Sequence, residues 1–423
     1  MEAQANELLT RTDPGTQMGE LLRRFWMPAL LSEEIAEPDS PPVRVRLAGQ
    51  DFVAFRDTQG RVGLLDPQCA HRCAELFFGR NEQSGLRCVY HGWKFDVDGA
   101  CLEIPTEPAD SKIKNKVRIR SYPVVERAGI VWAYLGPEGK APPLPHMDFF
   151  HVPGNHVYSS KCLMRCNYMQ ALEGSMDTAH LSFLHSAPDA ASVKSDALGV
   201  GELLQFSEKD GVPRFFVNDT DYGLSIVARR DAGPDHYYWR ASQWLMPLAV
   251  LVASAPGSLL RGNLFIPIDD HNCWWYRVRW QRGKPLAKEQ IEGFYTEGDY
   301  AELVPGSYEP RGNRGNDYLI DRAAQRKTSY TGIKTAQLQD IAIQESQGAI
   351  VDRSKERLGS TDLGIALCRR ALLAAAADLA KGVEPAALQR PEAYRVDAPA
   401  RLLKREETFT VGELPRAEAV PAL

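Results

Sequence analysis

Cysteine is scarce in this chain: eight residues in 423, at positions 69, 73, 88, 101, 162, 166, 273 and 368. So thin a set excludes a disulfide-stapled scaffold. In a reducing compartment it leaves core residues or metal ligands. Long apolar runs are missing too. The longest, Ala371–Ala377, is far too short to cross a bilayer. Positive charge is nowhere concentrated. The formal net charge is −5, and no basic stretch could track a phosphate backbone, so nucleic-acid binding is not expected. The opening residues, Met1 to Glu7, are polar and acidic, with no charged segment leading into an apolar one. A chain without a secretory signal, in the cytoplasm and off the membrane, is the expectation. Repeats and low-complexity segments are absent. So are a G-x-G-x-x-G after a strand and the spacing of a plant-type iron–sulfur cluster, so no dinucleotide-linked reductase module is expected here.

What is present is an ordinary globular composition, 44% hydrophobic and 25% charged, long enough for two or three domains. Met18–Phe25 reads as a short helix ended by Trp26-Met27-Pro28 and followed by a loop. Val43–Leu47 and Phe52–Phe55 alternate with the period of strands. Asp57-Thr58-Gln59-Gly60 and Asp96-Val97-Asp98-Gly99 are turn signals. Gly129–Leu135 reads as a buried strand, and Pro137–Pro145 as a linker. A boundary near residue 150 divides 1–150 from 151–423. Beyond it Asn167–His185 reads as one helix, residues 215–280 as several long strands, and 338–350 and 363–381 as helices. The tail after Pro391 reads as irregular. The class is α+β.

The first cluster with chemistry in it is Cys69-Ala70-His71, then sixteen residues, then Cys88-Val89-Tyr90-His91. Two thiolates and two imidazoles suit a structural zinc ion. They also suit a Rieske [2Fe–2S] cluster, where two histidines replace two cysteines on one iron. Common zinc fingers put both cysteines in one loop and both histidines in another. Here each loop carries one of each, as the iron–sulfur arrangement needs. Both loops lie in strand-rich sequence, and His91-Gly92-Trp93-Lys94-Phe95-Asp96 runs on from the second. The segment resembles the Rieske family strongly. Cys73 and Cys101 are off-pattern and read as small buried hydrophobes.

The second cluster is the run from Asn167 to His185. Asp177 stands three residues before His180, so on a helix its carboxylate reaches that imidazole. His180 and His185 are five apart, about 140° around an ideal helix. They can meet one metal only if the helix ends or widens between them. Two histidines and one carboxylate are the usual cage for a non-haem Fe(II) that activates O2. The pattern Asn-x-x-Gln-x-x-Glu-Gly-x-x-Asp-x-x-His-x-x-x-x-His resembles the catalytic motif of Rieske oxygenases almost position for position.

That resemblance covers nearly the whole chain and is closest to the phthalate-dioxygenase-like group. It implies an N-terminal all-β Rieske domain and a C-terminal catalytic domain of helix-grip (START-like) fold with an antiparallel sheet. Cys69, His71, Cys88 and His91 would hold the [2Fe–2S] cluster, and His180 and His185 a mononuclear Fe(II). The third ligand would be Asp340, in a rather apolar helix where an unpaired carboxylate is costly. Glu345 and Asp352 are its competitors, and Asp352 reads as a solvated or salt-bridged cap. Asp177 would bridge to the cluster of a neighbouring subunit, in a homotrimer or a multiple of it. Asn167 is either a polar group near the iron or a helix-start hydrogen-bonding residue. A separate NAD(P)H-dependent reductase, with flavin and a plant-type cluster as candidate carriers, would supply the electrons.

The group's substrates imply a small aromatic acid, phthalate- or benzoate-like, dihydroxylated with O2. Such an acid calls for a buried arginine. Arg229, Arg230, Arg240 and Arg261 are the candidates, and Arg240 stands out among the aromatics of Tyr237-Tyr238-Trp239. A surface salt bridge is the ordinary alternative for each. Thr178, inside the motif, is a further candidate for substrate contact. Two rival functions remain. One is a monooxygenase or O-demethylase on the same scaffold. The other is an electron carrier or plain ligand binder, which would not need Asp177, His180, His185 and Asp340.

Overall fold

The computed structural model describes residues 1–108, 110–186 and 203–411. Two helices open the chain, α1 (Ala3–Thr10) and α2 (Gln17–Leu22), the second begun by the Thr16 hydroxyl accepting from the Gly19 amide. The helix expected to run to Phe25 stops at Leu22. The expected loop after it is instead β1 (Trp26–Leu31). Pro28 is tolerated there because β1 is an edge strand, and its register slips between Pro28 and Leu30.

β2 (Val43–Leu47), β3 (Gln50–Arg56) and β4 (Val62–Leu65) form one small antiparallel sheet. β5 (Arg80–Glu82), β6 (Gly85–Arg87), β7 (Lys94–Phe95) and β8 (Cys101–Glu103) form another. β9 (Val124–Arg127) and β10 (Ile130–Tyr134) join β1 in a third. The two turns stand where the sequence puts them. Asp57 accepts from the Gln59 and Arg61 amides between β3 and β4, and Asp96 from the Asp98 and Ala100 amides between β7 and β8. Val53, Phe55, Leu65, Leu86, Trp93 and Phe95 build a small core of their own beneath the two cysteine–histidine loops.

The second half is organised by a large sheet. Its elements are β11 (Val157–Met164), α3 (Tyr168–Met176), α4 (Leu204–Lys209), β12 (Arg214–Thr220), β13 (Gly223–Asp231), β14 (His236–Leu245), β15 (Ala249–Val252), β16 (Leu260–Asp269) and β17 (Asn272–Trp280). After them come α5 (Lys288–Thr296), α6 (Arg322–Lys327), α7 (Ala336–Ser346), α8 (Leu363–Leu379) and β18 (Ala400–Lys404). The strand order is β11-β17-β16-β15-β14-β13-β12, antiparallel throughout, with β18 on β14. The tail after Pro391 is therefore not irregular as expected. Its short strand pairs with the backbone of His236–Arg240. The class is α+β, and among the described residues no helix is long and apolar enough to cross a membrane.

One expected helix is corrected in a way that matters. Asn167–His185 is not continuous: α3 ends at Met176, and Asp177 is extended, at φ −70° and ψ 120°. The Asp177 carboxylate caps the break by accepting from the Ala179 amide at 2.7 Å, the local bond by which aspartate competes with helix. His180–Ser182 then makes a single tight turn.

α3 is held from both sides. A side chain at Gly174 would meet the side-chain amide of Gln344 of α7 at 2.2 Å, so glycine here leaves Gln344 room to lie against α3. Next to it Glu173 receives Arg353 at 3.0 Å and Arg369 of α8 at 2.7 and 2.9 Å, all three largely out of water. Glu173→Gln leaves the two buried guanidiniums with one carboxylate between them, Glu356, which bonds Arg369 at 2.7 and 3.0 Å and lies 3.9 Å from Arg353. It should lower stability by about 3–5 kcal/mol, read from chemical denaturation. A loss below about 1 kcal/mol, the scale of an exposed pair, would contradict this account.

Candidate metal centres

The first centre lies at the tips of two loops. The loop before β5 closes with the Cys69 amide donating to Ala74 O and the Cys73 amide to Cys69 O. The loop between β6 and β7 closes in the same way, Cys88 N to Trp93 O and Gly92 N to Cys88 O. Gly92 sits at φ +77°, where a side chain would also strike Pro105 at 2.6 Å. Cys69 and Cys88 are buried with their thiols against each other, and burial pushes the Cys69 thiol up to about 11. Metal coordination reverses that, because a ligating thiol is deprotonated. The Nδ1 atoms of His71 and His91 face each other at 3.1 Å, and Trp93 stacks on His71 at 4.5 Å. Two sulfurs inward and two converging imidazoles at the rim fit a [2Fe–2S] cluster, and leave each Nε2 on the outer side. Of the two off-pattern cysteines, Cys101 is buried as expected. Cys73 is not: it is exposed, at φ +56°, on the outside of the first loop.

The second centre forms where α3 breaks. His180, His185 and Asp340 of α7 each offer a ligand atom within 4.8 Å of the others. Asp340 Oδ1 is 3.6 Å from His185 Nε2 and 3.9 Å from His180 Nε2. Ligands about 2 Å from one ion sit about 3–4 Å apart, so a small inward movement closes the set. Each imidazole is oriented from behind. His180 Nδ1 is 3.4 Å from Asp177 Oδ2, and His185 Nδ1 is 2.7 Å from Gln339 Oε1. Gln339 donates its Nε2 to Ile333 O at 2.8 Å, which fixes its oxygen as the acceptor toward His185. His185 therefore carries its proton on Nδ1 and turns a bare Nε2 to the metal position.

The electrostatics agree with a cation site. Burial pushes the Asp340 carboxyl up, but His185, His180 and Arg277 outweigh it and hold it below its ordinary value. Burial also pushes Asp177 up, and the bond to His180 brings it below its ordinary value. Burial alone would push the His180 imidazole down, and Asp177 and Asp340 together hold it up. The competitors for the third position are engaged elsewhere. Glu345 accepts from the Arg165 amide and the Tyr318 hydroxyl, and Asp352 caps a tight turn beside Lys355.

The triad opens into a cavity of about 690 Å³, counting its mouth, whose floor is one face of the large sheet. Of the four candidate arginines, Arg240 and Arg261 line it. Arg240 is 3% exposed, and among the described residues its one hydrogen bond is from Nη1 to the Tyr238 hydroxyl at 3.5 Å. Arg230 instead holds the loop carbonyl of Thr178 at 2.7 Å, and Arg229 lies over the Tyr237 ring. Thr178 lines the cavity, its hydroxyl without a hydrogen-bond partner among the described residues. Asn167 does not reach it. It is the N-cap of α3, and its amide group is consumed by Thr10 O, Asp270 O and the Met169 amide. The sequence reading missed Arg277, Arg279 and Asp299, which also line the cavity, and assigned no role to Gln339.

Known proteins agree with this geometry. The Rieske [2Fe-2S] domain matches residues 25–123, and the LigXa C-terminal domain like family matches residues 133–398. The chain is 39% identical to the oxygenase subunit of phthalate 4,5-dioxygenase from Pseudomonas putida, over 89% of this chain and 86% of that one. It is 37% identical to the oxygenase subunit of 3-chlorobenzoate-3,4-dioxygenase from Comamonas testosteroni, over 92% of both. The fold is similar to that of dicamba monooxygenase, with a TM-score of 0.58 at 18% identity, covering 85% of this chain and 99% of the other. The protein is a Rieske non-haem iron oxygenase. Within that class it belongs to the phthalate-dioxygenase-like group, as an oxygenase component that works with separate electron-transfer components. Its cofactors are a Rieske [2Fe–2S] cluster and a mononuclear iron.

Gln339→Leu removes the acceptor behind His185. It should weaken iron binding at the triad by about 10–100-fold in competition with a chelator, whereas Gln339→Glu keeps the acceptor and the iron. Wild-type affinity in the leucine variant would show that the amide does not orient the ring.

Proposed function

We propose that this oxygenase dihydroxylates an aromatic carboxylate, phthalate- or benzoate-like, with O2 and with electrons from a separate NAD(P)H-dependent reductase. The observation that carries the reading is Arg240: a guanidinium out of water, with no carboxylate partner among the described residues, in the cavity onto which the metal triad opens. A planar guanidinium binds a carboxylate bidentately, and burial strengthens that pair. Trp275, Phe265 and Leu181 give the cavity apolar walls for a ring.

In this reading residues 1–150 carry the cluster on Cys69, His71, Cys88 and His91. Residues 151–423 hold the iron on His180, His185 and Asp340. When bound, the cluster and the iron supply stored electrons and the activation of O2. The chain's own residues do the rest. Arg240 fixes the acid, Thr178 offers a hydroxyl beside it, and the walls exclude water. Asp177 lies between His180 and solvent and is only partly covered, at 23% side-chain exposure. There it can accept the outward N–H of His91 of the partner subunit, which makes the working unit a homotrimer or a multiple of one. Cysteines left free of disulfides support a reducing, cytoplasmic setting.

Asp177→Asn should keep about three irons per chain, two in the cluster and one in the triad, and lose turnover. Normal turnover in that variant would remove the bridging role. A single turnover of the reduced, iron-loaded protein in labelled O2 with a panel of aromatic acids tests the reaction. The expected product keeps both oxygen atoms. A product with one atom, or one that has lost a methyl group, would move the protein to monooxygenation or demethylation.

A further inference from the structure

The floor of the cavity is read off the sheet at period two. Arg240 and Ser242 project from β14, Arg261 and Asn263 from β16, and Arg277 and Arg279 from β17. The register places Val252 beside Arg261 and Arg261 beside Arg279, so positive charge recurs across the sheet. Arg240 marks one end of this floor. Arg277 and Arg279 mark the other, three strand spacings or about 14 Å away between backbones.

The far end has a charge mismatch of its own. Arg277 is 4% exposed and Arg279 2%, and they share a single carboxylate. Arg277 pairs with Asp299 Oδ1, and Arg279 Nη2 lies 3.5 Å from Asp299 Oδ2. The Nε atoms of both arginines, and that of Arg240, have no hydrogen-bond partner among the described residues. Asp299 serves both guanidiniums, the Tyr300 ring lies 4.0 Å from Arg277 and 5.6 Å from Arg279, and the next carboxylate near Arg277 is Asp340 of the metal triad, so with iron on Asp340 the two buried guanidiniums are left with one free aspartate among the described residues. Burial, with Arg277 close by, pushes the Arg279 guanidinium below its ordinary value, against the pull of Tyr300 and Asp299. A second cavity, lined by Lys284 and Gln290 but also by Glu289 and Glu297, shares Arg261 and Asp299 with the first, so this wall also faces a way out to solvent.

We propose that Arg277 and Arg279 form a second anion subsite, and that the substrate is an aromatic dianion with acidic groups at opposite ends of its ring system. This rests on the reading of Arg240 as the anchor of the first acid, and it narrows the phthalate- or benzoate-like class to acids whose second charge is remote from the first. The ring lies across the sheet under His180, His185 and Asp340, one acid on Arg240 and the other at the Asp299 end. An ortho diacid puts both charges at one end and leaves the other wall uncompensated. A 1,4-diacid, or a biaryl diacid reaching toward the second cavity, satisfies both.

The test is calorimetric titration of the anaerobic, reduced holoenzyme with benzoate, benzene-1,2-, 1,3- and 1,4-dicarboxylate and biphenyl-4,4′-dicarboxylate. The 1,4- or 4,4′-diacid should bind about tenfold or more tightly than benzoate and than the 1,2-diacid, the gain of one buried charge-assisted pair. Arg279→Gln should abolish that advantage, while Arg240→Gln weakens every acid. Benzoate binding as well as the best diacid sinks the second subsite and leaves the aromatic-acid reading standing. No binding of any acid sinks that reading and this one together. The wild-type series decides even if the Arg279 variant fails to fold.

Discussion

The approach of α7 to α3 is the contact on which the catalytic half depends. Asp340 belongs to α7, while His180 and His185 follow the end of α3, and the three share one point only because the helices touch. Gly174 is where they touch, with no side chain to hold Gln344 away. Glu173 fixes the same turn of α3 to Arg353 and Arg369. Packing alone does not bring two histidines five apart to one ion, because a straight helix would turn them to different sides. The helix has to stop, and the carboxylate that stops it, Asp177, is also the one that orients His180.

Charge is arranged around this point in an unusual proportion. Four arginines and three aspartates line the cavity, most of them out of water. Buried ions without partners are expensive, and breaking a buried pair costs more than forming it gains. The two imidazoles are also unequal. A carboxylate backs His180 and a neutral amide backs His185, so His180 is the stronger electron donor of the pair.

Much of this was legible in the sequence, and the reasons are local. The cysteine–histidine loops were readable because one cysteine and one histidine in each of two short loops suit a mixed-ligand iron–sulfur cluster better than a zinc finger. The turns at Asp57 and Asp96 were readable because each aspartate bonds its own following amides. The break after Met176 was not placed, since nothing between Asn167 and His185 is a strong helix breaker. The strand at Trp26–Leu31 was hidden by Pro28, which argues against a strand unless it is known to lie at an edge. Asn167 has the motif position of a residue near the iron, yet three local bonds take it. The floor of the cavity left a signal that went unread. Arg277-Val278-Arg279 inside Trp274–Trp280 puts two charges on one face of an apolar strand, and a face like that is either solvent or a binding site. Which one depends on α3 and α7 covering it, a long-range fact.

The order in which parts of the chain can pack follows from where its first helices rest. α1 and α2 pack on α8, Asn6 donates to Val351 O, and Thr12 and Arg11 reach Asp270. None of those partners exists until most of the protein has been made. The core under the cysteine–histidine loops draws only on residues 53 to 119 and needs nothing later. By position in the chain, the core residues of the cysteine–histidine lobe are all present before the amino-terminal helices have their partners. The mononuclear site, which needs Asp340 and the helices closed around it, is assembled last.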